Sequence, residues 1–213
     1  GGFDTSNPNA GYFGSDLAIS NNRLLVGAAP PDRADLRTGS LYEYTKDAMW
    51  SEASITQGNE PTLENVRQGS AVTIDGDTLA VSSMPEAPSI IPPSVSIYER
   101  SQTNPTEWTR TRKILESRYS GTLYGKQIAL SGDYLFVSVP ENSIEQLVIY
   151  KRIGNMWEEA ADALPWTQDA DPLGEAMVAG AGWLAISHRK PQEPSSFDIY
   201  VYDEATDKWE VGP

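Results

Sequence analysis

The chain has no cysteine and a single histidine, and its basic residues are few beside its acidic ones. Without cysteine it has no disulfide scaffold, no thiolate nucleophile, and no zinc–thiolate or iron–sulfur site. The one histidine, His188, has no Gly-x-Ser-x-Gly elbow beside it, so the sequence gives no indication of a Ser–His–Asp relay. We therefore predict a protein that is not an enzyme, with no catalytic residues, and we interpret His188 as a loop residue.

Excess positive charge is also missing. Among 213 residues there are 16 Lys and Arg against 30 Asp and Glu, which gives a formal net charge of −14. Such a surface repels polyanions, so nucleic acid is not an expected partner. No run of about 18 apolar residues is present, and the sequence predicts no membrane insertion in this segment.

What the chain does contain is one pattern written four times. Each copy has a Gly, an apolar run, a polar turn, a second apolar run, a loop, a strand that ends in Tyr, and a Trp. The copies start at Gly14, Gly69, Gly125 and Gly174. A Leu follows each Gly (Leu24, Leu79, Leu135 and Leu184), then a Tyr (Tyr44, Tyr98, Tyr150 and Tyr202), then a Trp (Trp50, Trp108, Trp157 and Trp209). Self-similarity with a period of about 50 residues is typical of repeat architectures.

Each copy predicts a four-stranded antiparallel meander. Residues that tolerate a positive φ, such as Gly132 and Asp133, join the first two runs as a hairpin. The second run is apolar on both faces, the third alternates as half-buried strands do, and the fourth is polar like an edge strand. In the first copy we expect strands near 16–20, 24–29, 39–45 and 49–56.

A lone meander of this size cannot bury both of its faces, so neighbouring copies must stack on it. We predict an all-β fold, a β-propeller of four-stranded antiparallel blades, as one domain over 1–213. The expected blades cover approximately 11–57, 66–116, 122–165 and 171–213. They form either a four-bladed ring or part of a larger propeller.

The first copy resembles a known repeat. Tyr12-Phe13-Gly14-Ser15, followed by Leu25-Val26-Gly27-Ala28-Ala29-Pro30 and Gly39-Ser40-Leu41-Tyr42, is similar to the FG-GAP repeat of integrin-α-like propellers. The resemblance covers about residues 11–211, although the other copies depart from its literal words. It implies about seven blades, within the range that propellers adopt, whereas four are present. It also implies an Asp-x-Asp-x-Asp-Gly calcium loop, which no copy contains.

We therefore predict no cofactor and no bound metal. The alternative is one calcium ion near Asp32 and Asp35, where two carboxylates offer only part of the six to eight oxygens that calcium takes.

The loops between second and third strands share one propeller face with the connections between blades, and function on repeat scaffolds resides on such a face. The predicted ligand-binding residues on it are Asp32, Arg33, Arg37, Tyr119, Trp166, His188 and Arg189. From fold-level analogy we expect an extracellular recognition or adhesion module that binds a protein or glycan partner. Two alternatives remain open: a structural module that self-assembles or forms part of a larger propeller, and a secreted hydrolase or its accessory propeller.

Ring closure is a separate question, because no strand is left over to be shared between the first and last copies. The faces of blades one and four therefore lack a neighbour, and large apolar faces rarely stay bare. We expect them to meet each other, another chain or further blades.

Overall fold

A computed structural model describes ten stretches of the chain: 12–29, 39–46, 50–57, 68–84, 92–104, 107–115, 124–139, 147–160, 173–188 and 196–212. Within these residues there are sixteen strands and no helix, hence no helix that is long and apolar enough to cross a membrane. The chain divides into two compact units, Gly1–Gly125 and Lys126–Pro213. Each unit contains two four-stranded antiparallel sheets, which are the blades of a β-propeller fold.

The first unit contains blades one and two. The strands of blade one are β1 (Tyr12–Ser20), β2 (Arg23–Ala29), β3 (Ser40–Lys46) and β4 (Trp50–Gln57). Those of blade two are β5 (Gln68–Asp75), β6 (Thr78–Ser83), β7 (Ser94–Arg100) and β8 (Trp108–Leu115).

The second unit contains blades three and four. The strands of blade three are β9 (Ile128–Ser131), β10 (Tyr134–Ser138), β11 (Leu147–Ile153) and β12 (Met156–Glu159). Those of blade four are β13 (Leu173–Gly180), β14 (Trp183–His188), β15 (Ser196–Asp203) and β16 (Lys208–Val211). In all four blades the strand order follows the chain, so the predicted meander is confirmed.

The hydrogen-bonding register is the same in every blade. The repeated Leu of the second strand lies opposite a Tyr of the third, in the pairs Leu24–Tyr44, Leu79–Tyr98, Leu135–Tyr150 and Leu184–Tyr200. Two residues after that Tyr, the third strand pairs with the repeated Trp: Trp50, Trp108, Trp157 and Trp209. The four Trp are therefore equivalent, as predicted.

One prediction of equivalence was wrong. The sequence pattern matched Tyr202 to Tyr44, but the structure places Tyr200 in that position, opposite Leu184. The two assignments differ by two residues, and because side chains alternate with a period of 2, both put a Tyr on the same face. Only pairing with the neighbouring strand distinguishes them.

A further prediction was wrong for the third strands, which were expected to be half-buried. In blades one and two most of their side chains are buried on both faces, including the polar Glu43 and Ser96, and in blade three Val148, Ile149 and Tyr150 are buried. The fourth strands are polar and largely exposed where their side chains are described, as expected of an outer edge.

The predicted hairpin turns are confirmed. Asn21, Gly76, Gly132 and Gly182 all have positive φ in the turns between first and second strands. In blades one and two the Gly that opens the pattern lies at a bulge in the first strand. Gly14 and Gly69 also have positive φ, and β1 and β5 each contain a bulge there.

A serine of the second strand stabilises the start of the first strand. Ser82 Oγ accepts a hydrogen bond from Ala71 N at 2.9 Å, and Ser138 Oγ accepts one from Gln127 N at 2.9 Å. In blade one this position is Gly27. A Cβ placed there would lie 2.2 Å from the carbonyl oxygen of Gly69, so the two backbones approach more closely than any side chain would allow.

Within each unit the two blades pack face to face. Every blade has one face of the kind that the earlier blade of a unit presents to the later one, and an opposite face of the kind that the later blade presents to the earlier one. We call these the forward face and the rear face. In the first unit, Leu25 and Leu41 on the forward face of blade one meet a rear face formed by Val72, Ile74, Leu79, Val81 and Tyr98 of blade two. In the second unit, the forward face of blade three (Ala129, Tyr134, Phe136 and Ile149) meets the rear face of blade four (Leu184, Ile186, Tyr200 and Trp209).

Candidate functional site

Most of the predicted ligand-binding residues lie outside the described part of the chain: Asp32, Arg33, Arg37, Tyr119, Trp166 and Arg189, as well as the calcium candidate Asp35. His188 is described only by its backbone, as the last residue of β14, where it pairs with Leu173 and Ser196. The predicted loop face therefore stays a prediction. The described residues instead present two polar clusters at blade contacts and two exposed apolar faces.

The first polar cluster joins blades one and two around a buried carboxylate. The Glu43 side chain is 2% exposed, and Arg100 Nη2 donates to its Oε1 at 2.6 Å. The indole Nε1 of Trp108 donates to Oε2 at 2.7 Å. The Arg100 guanidinium also stacks on the Trp108 ring, 4.4 Å from its centroid. Both carboxylate oxygens thus accept hydrogen bonds, which offsets the cost of burying the charge.

Two further groups extend this cluster towards the hairpin turns. Arg23 lies 3.8 Å from Glu43 and 3.2 Å from Asp77, and Arg100 Nε lies 3.3 Å from Asp77. Two guanidinium groups therefore alternate with two carboxylates across the contact. The charges of the two arginines and the two acids therefore compensate each other. We interpret the cluster as a structural contact that holds the two blades together.

The second polar cluster joins blades three and four around Asp207. Its carboxylate accepts hydrogen bonds from the hydroxyl groups of Tyr134, at 3.0 Å, and Tyr202, and it pairs with Lys151. These hydrogen bonds, first from Lys151 and then from the two tyrosines, lower the pKa of Asp207 to about 2. Burial, followed by the hydrogen bond to Asp207, raises the pKa of Tyr134 to about 12. At neutral pH Asp207 is therefore ionised and Tyr134 is protonated, so the two side chains do not act as a proton-transfer pair.

The blade contacts also contain hydrogen bonds from the inner strands. Asp16 Oδ2 accepts from Val72 N of the next blade at 2.8 Å, and burial raises the pKa of this carboxyl group. Ser20 Oγ accepts from Gly76 N at 3.2 Å. Ser131 makes the equivalent contact in the second unit, where its Oγ accepts from Gly182 N at 3.2 Å.

The described residues contain no group of three or more His, Cys, Asp or Glu that could hold a metal ion. The carboxylates of both clusters are occupied by donors. What remains unaccounted for is apolar surface.

The forward face of blade four is a large exposed apolar surface. Val178, Trp183, Phe197, Ile199 and Val201 are all exposed. Cross-strand pairing places Ile199 opposite Ala185, which is also paired with Val178, and it places Val201 opposite Trp183. Residues paired in this way share one face of a sheet. No charged side chain interrupts this row, which runs across three strands.

The same positions are covered one blade earlier. Ile149 in blade three is equivalent to Ile199 and is 5% exposed, whereas Ile199 is 37% exposed. Likewise Tyr134, the equivalent of Trp183, lies in the buried core of the second unit. The sequence pattern of a packing face is thus present in blade four without a cover among the described residues.

The rear face of blade one shows the complementary situation. Leu17 is 60% exposed, while its equivalent in blade two, Val72, is 3% exposed. Ile19 and Phe13 are exposed on the same face, and Phe13 meets the ring of Tyr42 edge-on at 5.3 Å. We call these two surfaces, the forward face of blade four and the rear face of blade one, the end faces.

The polar clusters were not anticipated from the sequence. A usable signal existed: a basic residue stands two positions after the repeated Tyr in blades two and three, at Arg100 and Arg152, and each reaches an Asp in its own hairpin turn. Glu43 gave no such signal, because the equivalent residue of blade three is Ile149. The end faces, by contrast, were predicted from the sequence, because the four copies leave no strand to be shared between the first blade and the last.

Comparison with known proteins supports the fold and nothing finer. No family model matches the chain, and no curated protein matches it in sequence. It is similar in structure to the GH93 α-L-arabinofuranosidase of Fusarium graminearum in complex with arabinobiose, with a TM-score of 0.52, 11% identity, and coverage of 96% of this chain and 67% of that one. The E242A mutant of the enzyme Arb93A, bound to an iminosugar inhibitor, gives a TM-score of 0.50 at 11% identity and coverages of 96% and 66%.

A fucose-specific lectin from Aleuria aurantia aligns with a TM-score of 0.49 and 13% identity over 89% of this chain. The chain spans 55% of the length of that lectin and 54% of a protein from Lactobacillus plantarum, and only 29% of a puromycin-hydrolysing peptidase from Mycobacterium tuberculosis.

Proposed function

We propose that this chain supplies four consecutive blades to a larger β-propeller, and that its end faces are packing surfaces which further blade surface covers. The single observation that carries this is the contrast between Ile199 and its covered equivalent Ile149. A propeller blade is stable because both of its faces are buried by neighbours. The two end faces have the side chains of such a contact, and several of these side chains have no cover among the described residues.

The finer assignment belongs to the same proposal. We place the chain with FG-GAP-like propellers and outside the cell, where the completed propeller recognises a protein or glycan through the loop face that contains Asp32, Arg33, Arg37, Tyr119, Trp166, His188 and Arg189. The support is the wording of the first repeat, together with a scaffold in which the carboxylates of Glu43 and Asp207 are engaged in blade contacts. No cofactor is proposed, and calcium at Asp32 and Asp35 is the one alternative.

A second reading, a secreted hydrolase or its accessory propeller, is favoured by the likeness to the two arabinofuranosidase structures. Incubation with arabino-oligosaccharides distinguishes the two. Release of arabinose would support the hydrolase, and saturable binding without turnover would support recognition.

Adding a blade tests the packing proposal. A second copy of residues 161–212 is fused after Pro213. The rear face of blade four packs against Tyr134 and Ile149 of blade three. Their equivalents on the exposed forward face of blade four are Trp183 and Ile199, so the added blade should pack against them in the same way. We expect Tm to rise by several degrees. In the fusion, Ile199→Asp should then lower Tm about as much as Ile149→Asp does.

The control fusion has Asp at the positions of Leu184 and Ile186 in the added blade only, which removes its packing face. It should show no rise in Tm. If the intact fusion also shows no rise in Tm, and Ile199→Asp does not lower the Tm of the fusion, the forward face of blade four is ordinary surface and the proposed function is wrong.

A further inference from the structure

We infer that the cover of the two end faces is a second copy of this chain, docked head to tail, with the forward face of blade four on the rear face of blade one. This inference rests on the proposed function and names the partner. Both contacts seen inside the chain join a forward face to a rear face. Among the described residues, exposed apolar side chains remain on the forward face of blade four and on the rear face of blade one, so a second copy would supply the missing half of both contacts.

The chemistry of the two faces is complementary in the same sense. Blade four presents Val178, Trp183 and Ile199, and blade one presents Leu17 and Ile19. Inside the chain, equivalent aliphatic and aromatic side chains meet in this way: Tyr134 and Ile149 of blade three lie in one core with Leu184 of blade four. The aliphatic row on blade one corresponds to Val72 and Ile74, which are buried against Leu25.

Charge favours these apolar surfaces over the charged parts of the described surface for self-association. At a net charge of −14, two copies repel each other over most of their surface. The exposed apolar residues are Val178, Trp183, Phe197, Ile199 and Val201 on blade four and Phe13, Leu17 and Ile19 on blade one, whereas Val26 and Tyr42 on that face of blade one are already buried. Contact there removes apolar surface from water, and the one carboxylate paired with this row, that of Glu210 opposite Val201, lies on the outer strand β16.

Trp183 is the expected anchor of the contact. Its indole ring lies over Gly180, where an added Cβ would come within 2.6 Å of the ring atoms. The glycine thus lets the ring lie flat on the sheet and present its other side outward. Large aromatic side chains held in this manner are typical centres of protein interfaces.

The test uses light scattering and sedimentation of the full chain over a range of concentrations, with two one-sided variants. Leu17→Asp/Ile19→Asp disables only the rear face of blade one, and Val178→Asp/Ile199→Asp disables only the forward face of blade four. We expect the wild-type chain to associate and each variant alone to associate at least tenfold more weakly. An equimolar mixture of the two variants should form a heterodimer, because one intact forward face and one intact rear face remain.

The matched control is Thr109→Asp/Thr111→Asp, which adds the same charge on exposed positions of β8 and should associate like the wild-type chain. If an Asp variant fails to fold by circular dichroism, Val178→Ser/Ile199→Ser replaces it. A mixture that stays monomeric, or loss of association in only one variant, would show that like faces pair and would overturn the inference.

A wild-type chain that is monomeric at every concentration also overturns the inference. The added-blade fusion then separates two cases. If the fusion is stabilised, the proposed function stands and only the partner is wrong. If it is not stabilised, both proposals fail.

Discussion

The carboxylate of Glu43 in blade one accepts a hydrogen bond from the indole of Trp108 in blade two, at 2.7 Å. The same carboxylate holds Arg100, whose guanidinium lies on that indole ring. A repeated structural residue, the Trp that ends each copy, is therefore also a hydrogen-bond donor across a blade contact. In this unit, specific polar bonds supplement apolar packing.

Replacing Glu43 with Gln should destabilise the chain by about 3 kcal/mol, because Arg100 would remain buried without its carboxylate. The control is Asp77→Asn. Asp77 contacts the same two arginines but is 60% exposed, so its loss should cost less than about 1 kcal/mol. Urea denaturation measures both. Equal costs for the two variants would show that the buried pair has no special weight.

Replacing Gly27 with Ala should cost about 2 kcal/mol or more, since the new Cβ would lie 2.2 Å from the Gly69 carbonyl oxygen and force two backbones apart. Ser82→Ala is the comparison at the equivalent position of blade two. It removes one hydrogen bond to Ala71 N, which is worth about 1 kcal/mol. Thermal unfolding should rank the glycine variant as the less stable, and the reverse order would contradict the close approach.

Asp16→Asn should change how stability depends on pH. Burial raises the folded-state pKa of Asp16 above its unfolded value, so its contribution is greatest below the unfolded pKa and is lost as pH rises through the folded pKa. The Asn side chain keeps an acceptor for Val72 N and has no charge to bury. The stability of the variant minus that of the wild-type chain should therefore be larger at pH 7 than at pH 3. A difference that does not vary with pH would argue against a raised pKa.

Asp207→Asn should show the opposite sign. The folded-state pKa of Asp207 is lowered to about 2, so its contribution is present above the unfolded pKa and is lost as pH falls towards 2. The wild-type chain should exceed the variant in stability at pH 7, and the gap should close between about pH 4 and pH 2. Asn also tolerates the positive φ of 56° at this position. Glu210→Gln on exposed β16 serves as the control, and a gap that persists at pH 2 would refute the assignment.

The fold could be predicted from the sequence because the signals that determine it are local and repeated. Gly132 in its hairpin turn and the spacing from Leu135 to Tyr150 are visible without a structure. The assignment of Tyr202 failed because a shift by two residues leaves the alternation unchanged. The polar clusters depend on which side chains of different blades meet. Glu43 and Trp108 are far apart in the chain and belong to different copies, so no pattern within one copy reveals their contact.

Gly27 has a consequence for how such a chain could be rebuilt. Its equivalents in the other blades are Ser82, Ser138 and Ser187, and a serine in place of Gly27 would collide with the Gly69 carbonyl oxygen, as any side chain would. Blade one thus differs from the others at the point where it contacts blade two. Although the four copies share one sequence pattern, one copy cannot replace another at this contact. Reshuffling their order by recombination would break this contact while preserving every feature of the repeat.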